Sequence, residues 1–203
     1  MTQPTPISDD ELDELERQFV GRVRGRVLEI GAGEGENFGA FDPGITWMGL
    51  EPDAKRRAEL AQRAREWRHE AEPLDAVAES IPLPDHSVDA VVGTYVLCSV
   101  TDQAATLAEV RRVLVPGGRV VFVDHVVAPP RTLKYVVQRV ATPFSKRFCH
   151  GCHWDRDTEQ ALVRAGFRGE DVRRLRVRST PFGPVPMLLF EGRAPGDAAS
   201  AAE

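Results

Sequence analysis

Val27-Leu28-Glu29-Ile30-Gly31-Ala32-Gly33-Glu34-Gly35-Glu36-Asn37 decides the fold of this chain. An apolar run ends in three glycines that alternate with an alanine and an acid. A buried strand that stops in this way turns sharply and lets a small ligand press on its backbone. Strict alternation of strand and helix follows. Strands are expected at Arg26–Ile30, Ile45–Leu50, Leu74–Ala78, Ser87–Gly93 and Gly118–Asp124. Helices are expected at Ala54–Trp67 and Gln103–Val113, with a short one near Glu36–Ala40. The runs Val88-Asp89-Ala90-Val91-Val92 and Val120-Val121-Phe122-Val123 are apolar on both faces, as buried parallel strands are. Pro116-Gly117-Gly118 breaks the second helix and feeds the fifth strand.

After His125 the alternation pauses. The stretch Ala128–Cys152 holds a helical segment with Leu133, Val136, Val137, Val140 and Phe144 at helical spacing, and Lys134, Arg139, Lys146 and Arg147 around them. A helix over Thr158–Ala165 is closed by Gly166. Two late strands, near Val172–Val177 and Met187–Gly192, flank a proline-rich loop from Pro181 to Pro186. Strands joined without a helix pair as a hairpin, which supplies an antiparallel edge strand. The expected fold is α/β: a doubly wound, seven-stranded, mostly parallel, Rossmann-like sheet with that antiparallel edge.

At the N-terminus, Ser8-Asp9-Asp10-Glu11 forms a capping box, with Ile7 and Leu12 as a hydrophobic staple. The helix it starts carries Leu12, Leu15 and Phe19 on one face, ends near Gly21, and is expected to pack over the glycine loop. The organisation is thus a tail and capping helix at 1–25, a main domain at 26–193 with a cap segment at 126–153, and a small, polar, disordered tail at 194–203.

With 203 residues, 42% hydrophobic and 28% charged, the chain has the composition of one ordinary globular domain. A net charge of −5 argues against general nucleic-acid binding. No apolar run reaches spanning length, and the first residues lack a signal peptide's basic and apolar regions. Three cysteines, an odd number, point to reduced thiols and a cytoplasmic setting rather than a disulfide frame.

The two acids of the glycine loop narrow the ligand. Glu34 and Glu36 lie where a pyrophosphate would approach, and like charges repel it. S-adenosylmethionine has no phosphate and carries a sulfonium, so the loop points to a methyl donor rather than to NAD or ATP. Glu51, at the tip of the second strand in Leu50-Glu51-Pro52-Asp53, is placed to accept both ribose hydroxyls of an adenosine. The competing reading makes it a turn acid or a capping partner of the next helix.

These motifs, with Ala78-Glu79-Ser80-Ile81-Pro82-Leu83-Pro84-Asp85 and Val113-Leu114-Val115-Pro116-Gly117-Gly118, resemble a class I S-adenosylmethionine-dependent methyltransferase over roughly Arg26 to Gly192. Tyr95-Val96-Leu97-Cys98-Ser99-Val100, Asp124-His125-Val126, and His150-Gly151-Cys152 followed by Arg156-Asp157-Thr158 are similar to the microsomal alkyl thiol S-methyltransferase (methyltransferase-like seven) family, whose members methylate alkyl thiols and hydrogen sulfide. Two features depart from that family. Its membrane members carry an apolar N-terminal anchor, where this chain has a polar tail and an acidic amphipathic helix. An acid commonly precedes the glycine at Gly151, where this chain has His150.

The resemblance implies a donor site of Glu29, Gly31, Gly33, Asn37, Glu51, Ala78, Glu79, Thr94 and Tyr95. Glu29 either holds the amino group of the donor or braces the glycine turn. Ala78 and Glu79 resemble the pair that reads adenine. Thr94, Tyr95 and Leu97 follow the fourth strand and face the transferring methyl, with Cys98 and Cys152 lining the acceptor side. An alkyl thiol is mostly protonated at neutral pH. His125, ending the fifth strand on the same rim, is the candidate base or thiolate stabiliser, oriented by Asp124. The alternatives are a histidine bonded to loop backbone, or catalysis by alignment alone.

Cys149-His150-Gly151-Cys152-His153 has one metal half-site but no second, and Cys98 is the one other cysteine, so no metal is expected. Residues 131–148 read as a lid over a greasy acceptor, as a basic amphipathic helix on an acidic membrane surface, or as a core helix. The alternating Arg173-Arg174-Leu175-Arg176-Val177-Arg178 reads as a charged edge strand. The expected function is methylation of a small, largely apolar acceptor, a thiol first. The alternatives are N- or O-methylation of a lipid headgroup or quinone precursor, and a non-catalytic donor-binding protein.

Overall fold

The computed structural model describes residues 5–148, 152–178 and 183–196. Side chains at 141 and 143–148 lie outside that description, as do Cys149-His150-Gly151, Pro181 and residues 197–203. The elements are α1 (Asp9–Val20), β1 (Arg26–Ile30), β2 (Thr46–Leu50), α2 (Ala54–Glu66), β3 (Val88–Thr94), α3 (Gln103–Val113), β4 (Leu114–His125), α4 (Leu133–Phe148), α5 (Thr158–Arg164), β5 (Arg168–Val177) and β6 (Val185–Arg193). Aspartates start three of the helices. Asp53, Asp102 and Asp157 each accept hydrogen bonds from the first-turn N–H groups of α2, α3 and α5. The Ser8–Glu11 capping box opens α1 as the sequence requires.

The sheet has six strands in the order β2-β1-β3-β4-β6-β5. The first four are parallel, and β6 lies antiparallel to both neighbours. The two faces carry separate cores because side chains alternate along each strand. Leu28, Ile30, Val91, Val120, Phe122 and Phe190 pack under α3 and α5. Val27, Trp47, Ala90, Val92, Val121 and Leu189 pack under α1 and α2. The capping helix α1 thus shares the main core through Leu12, Phe19 and Val20.

Four sequence expectations are corrected here. The strand at Leu74–Ala78 reduces to a single bridge between Leu74 and Leu50, which gives six strands rather than seven. The groups that would extend the ladder are engaged elsewhere: Glu51 O accepts from Arg57 at 2.8 Å, and Asp53 N donates to the Glu51 carboxylate at 2.9 Å. The short helix near Glu36–Ala40 is a series of tight turns. The antiparallel strand is one position in from the edge. β6 is buried along Met187–Gly192, whereas β5 carries the arginines and takes the exposed place. Ala194, placed in the tail by composition, is buried, and its N–H donates to Gly118 O at 2.8 Å.

Candidate active site

β1 and β3 are adjacent but leave the sheet to opposite sides, so a crevice opens at their carboxyl ends. There a cavity of about 1430 Å³ runs from the glycine loop to the cap segment. A single drug-sized ligand fills about 300–1,000 Å³, so this volume admits a donor and an acceptor together.

The glycine loop forms one wall. Gly31 and Gly33 both have φ of 58°. A Cβ on Gly31 would lie 2.5 Å from Val96 Cγ2, so any other residue there is excluded twice over. Glu51 is buried at the tip of β2 and braces the loop. One carboxylate oxygen accepts from Gly33 N at 3.0 Å and the other from Asp53 N at 2.9 Å, while the group lines the cavity. Ala78 and Glu79 form the next stretch of rim. Glu79 Oε1 also accepts from Thr101 N at 2.7 Å, which ties the rim to the start of α3.

Glu29 lies behind this wall. Its carboxylate accepts from Asn37 Nδ2 at 2.7 Å and from Trp47 Nε1 at 2.8 Å. Asn37, which does face the cavity, also donates to Thr94 Oγ1 at 2.9 Å. Glu29 thus holds Asn37 and is linked to the cavity through it. Burial lifts the Glu29 carboxyl to about 7, against the pull of its two donors.

The opposite wall follows β3. Tyr95 has a φ of 59°, a strained conformation for a residue with a side chain, and is pinned by its N–H to Val123 O. Its hydroxyl donates to Glu16 Oε1 at 2.5 Å, which brings α1 to the cavity. Burial of Glu16 raises its pKa. Leu97 is fully buried and contributes its carbonyl, which accepts from Arg156 at 2.7 Å. Asp124 is buried on the face away from His125. Its Oδ1 accepts from Cys98 N at 3.0 Å, so it positions Cys98 rather than the histidine ring.

Cys98, His125 and Cys152 meet at the far end. Their donor atoms all lie within 4.8 Å of one another. Cys152 Sγ is 3.8 Å from His125 Nδ1, and the Tyr95 ring lies 5.4 Å from the imidazole. His153 N donates to Cys98 O at 2.7 Å, which draws the two cysteine loops together. The Cys98 thiol hydrogen-bonds to Cys152, and with burial this pushes the Cys98 pKa up. The same bond, helped by His125, holds Cys152 below the usual thiol range. Leu133, Lys134, Val137 and Gln138 of α4 close the cavity on this side.

Sequence reasoning placed Gly31, Gly33, Asn37, Glu51, Ala78, Glu79, Thr94, Tyr95, Cys98, His125 and Cys152 at one site, and all of them line the cavity. Glu29, Leu97 and Asp124 support it from behind. Glu16 and Arg156 were missed. An acid on the apolar face between Leu12, Leu15 and Phe19 was the available signal for Glu16.

Comparison with known proteins gives a consistent picture. Residues 28–122 match the model of a methyltransferase domain. The human thiol S-methyltransferase TMT1B is 34% identical over 174 residues, covering 80% of this chain and 71% of that protein. The human thiol S-methyltransferase TMT1A is 38% identical over 144 residues, covering 70% of this chain and 59% of that protein. In fold, the geranyl diphosphate C-methyltransferase of Streptomyces coelicolor, solved with S-adenosyl-L-homocysteine, superposes with a TM-score of 0.70 at 17% identity, over 92% of this chain and 77% of that one.

Proposed function

From the premise that this chain belongs to the thiol S-methyltransferase family of class I S-adenosylmethionine-dependent methyltransferases, we propose that its acceptor is a small, largely apolar thiol, methylated on sulfur beside Cys98, His125 and Cys152. One observation carries the reading. The imidazole and the two thiols line the same cavity as the glycine loop, so a donor at the loop and an acceptor sulfur at the cluster would share one enclosed space.

Glu51 takes the ribose hydroxyls, Ala78 and Glu79 take adenine, and Asn37 with Thr94 holds the methionine part, oriented by Glu29. The sulfonium already activates the methyl, so the protein aligns nucleophile, carbon and leaving sulfur and keeps water out. Deprotonation of the acceptor is the remaining task, and the His125–Cys152 pair is the proton acceptor within reach. The new S–C bond forms as the sulfonium C–S bond breaks, leaving a methyl thioether and S-adenosylhomocysteine. Free thiols at Cys98 and Cys152 suit a reducing, cytoplasmic setting.

A second reading concerns where the acceptor comes from. Among the described residues no helix is long and apolar enough to cross a membrane. Yet Leu133, Val136, Val137 and Val140 of α4 are 81%, 55%, 53% and 69% exposed, while Gln138 and Thr142 face inward. Residues 126–154 also carry Arg131, Lys134, Arg139, Lys146 and Arg147 and no acid. An apolar ridge among cations at the mouth of the cavity suits contact with an anionic lipid surface, from which a greasy thiol would enter.

The direct test is mass spectrometry after incubation with S-adenosylmethionine and a panel of thiols, amines and phenols. A methyl thioether formed in step with S-adenosylhomocysteine is the expected outcome. Methylation confined to amines or phenols would overturn the thiol reading.

A further inference from the structure

The sequence hid one arrangement by spreading it over three elements. Cys98 follows β3, His125 ends β4, and Cys152 lies in the loop before α5. The sequence pattern around Cys149 and Cys152 lacks a second half-site nearby, and the fold supplies other donors from a distance. Cys98 and Cys152 are buried and His125 is half-buried. The three donor atoms fall within a 4.8 Å set, with 3.8 Å between Cys152 Sγ and His125 Nδ1. Donors about 2.1–2.3 Å from one tetrahedral ion lie about 3.5–3.8 Å apart, so small side-chain movements close the set around a metal.

Two surrounding features suit a cation. Asp124 Oδ1 fixes the Cys98 loop through its N–H at 3.0 Å, as an outer-shell carboxylate does for a ligand. Its other oxygen, Oδ2, is buried with no hydrogen-bond partner among the described residues.

We propose that Cys98, His125 and Cys152 bind a zinc-type divalent cation, with the fourth position open to the cavity for the acceptor sulfur. Two thiolates and one imidazole form a donor set that selects zinc among the common divalent ions, and three protein ligands with one open position is the arrangement of catalytic rather than structural sites. Metal binding releases the two cysteine protons to solvent. With His125 and Cys152 engaged as ligands, the metal replaces that pair in ionising the acceptor: a thiol that enters the fourth position loses its proton to water and stays a thiolate at neutral pH. Methyl transfer converts it to a neutral thioether, a weaker ligand, which leaves. The fourth-position role rests on the thiol reading above, but the metal site itself does not.

The test measures metal without measuring turnover. Full-length protein purified without chelator is assayed for metal content, then stripped and titrated with zinc and with cobalt. The expected result is one equivalent bound, with thiolate-to-cobalt charge-transfer bands and the intense visible bands of a tetrahedral ion. Cys98→Ala, His125→Ala and Cys152→Ala each lose the stoichiometric metal while keeping a native circular dichroism spectrum. Cys149→Ser keeps it. Folded protein that binds no metal, or binding that survives all three alanine substitutions, overturns the site. Loss of metal in Cys149→Ser overturns the open fourth position, because a fourth protein thiolate would fill it. Bound metal without any methyl thioether product defeats only the thiol reading, and thioether formation by metal-free protein overturns the fourth-position role while leaving the metal site standing.

Discussion

Single carboxylates do different work at this site according to what surrounds them. Glu51 accepts two backbone N–H bonds and still faces the cavity, so its charge is available to ribose hydroxyls. Glu51→Ala is expected to weaken S-adenosylmethionine binding by about 1.5–3 kcal/mol, roughly ten- to 150-fold, because hydrogen bonds to a charged acceptor are lost. Titration calorimetry reads this directly, and unchanged affinity would remove Glu51 from the ribose. Glu29 behaves differently. Its carboxyl is lifted from 4.5 to about 7, chiefly by burial. The folded protein therefore keeps a proton that the unfolded chain gives up. The resulting stability is fully present below about pH 4.5, falls as pH rises toward about 7, and is flat above it. Urea unfolding of wild type and Glu29→Gln between about pH 5 and 8 should show wild type losing stability relative to the variant as pH rises to about 7. Asp124, also lifted to about 7, is present in both proteins and drops out of that difference. A gap independent of pH would mean that Glu29 is ionised in the fold throughout.

At the scale of elements, the parts that local chemistry dictates were legible. Apolar runs gave β1, β3 and β4, and the capping box marked α1. Leu74–Ala78 was not legible as a non-strand, because Leu74 and Ala76 pack on the core and Val77 and Ala78 line the cavity rather than a ladder, and periodicity does not distinguish these uses. Nor could spacing foresee that α4 turns Gln138 inward, where it accepts from Ala128 N at 2.7 Å and donates to Val126 O at 3.1 Å. Those two bonds replace an apolar contact and leave the valines outside. Val136→Ser with Val140→Ser should change folding stability by no more than roughly 0.5 kcal/mol, since both side chains are largely exposed. The same pair should lower cosedimentation with anionic vesicles severalfold. Equal sedimentation of both proteins would leave the ridge with the lid role alone.

For the whole molecule, the question is what keeps the antiparallel end of the sheet and the N-terminal helix as one body with the donor site. Ile7 bridges to Val177 at the edge, through Ile7 N to Arg176 O at 2.9 Å. Further along, Glu191 on β6 pairs with two arginines. It accepts from Arg22, just after α1, at 2.6 Å and pairs with Arg119 of β4, while Arg22 also reaches Asp171 of β5 at 3.0 Å. The Glu191 side chain is 4% exposed, whereas Arg22 and Arg119 keep 36% and 26%. Breaking a fully buried pair costs about 3–5 kcal/mol. Partial hydration of the arginines reduces this, so Glu191→Ala should destabilise by about 1–3 kcal/mol. The cluster lies at the opposite end of β4 and β6 from His125, since Arg119 pairs with Arg193 in register while His125 pairs with Met187. Donor affinity at a temperature where the variant is folded should therefore match wild type. A urea midpoint that falls with an unchanged m-value would show one cooperative body weakened at a joint. A separate early transition would instead show that α1 and the hairpin β5–β6 leave the parallel strands before the donor site unfolds.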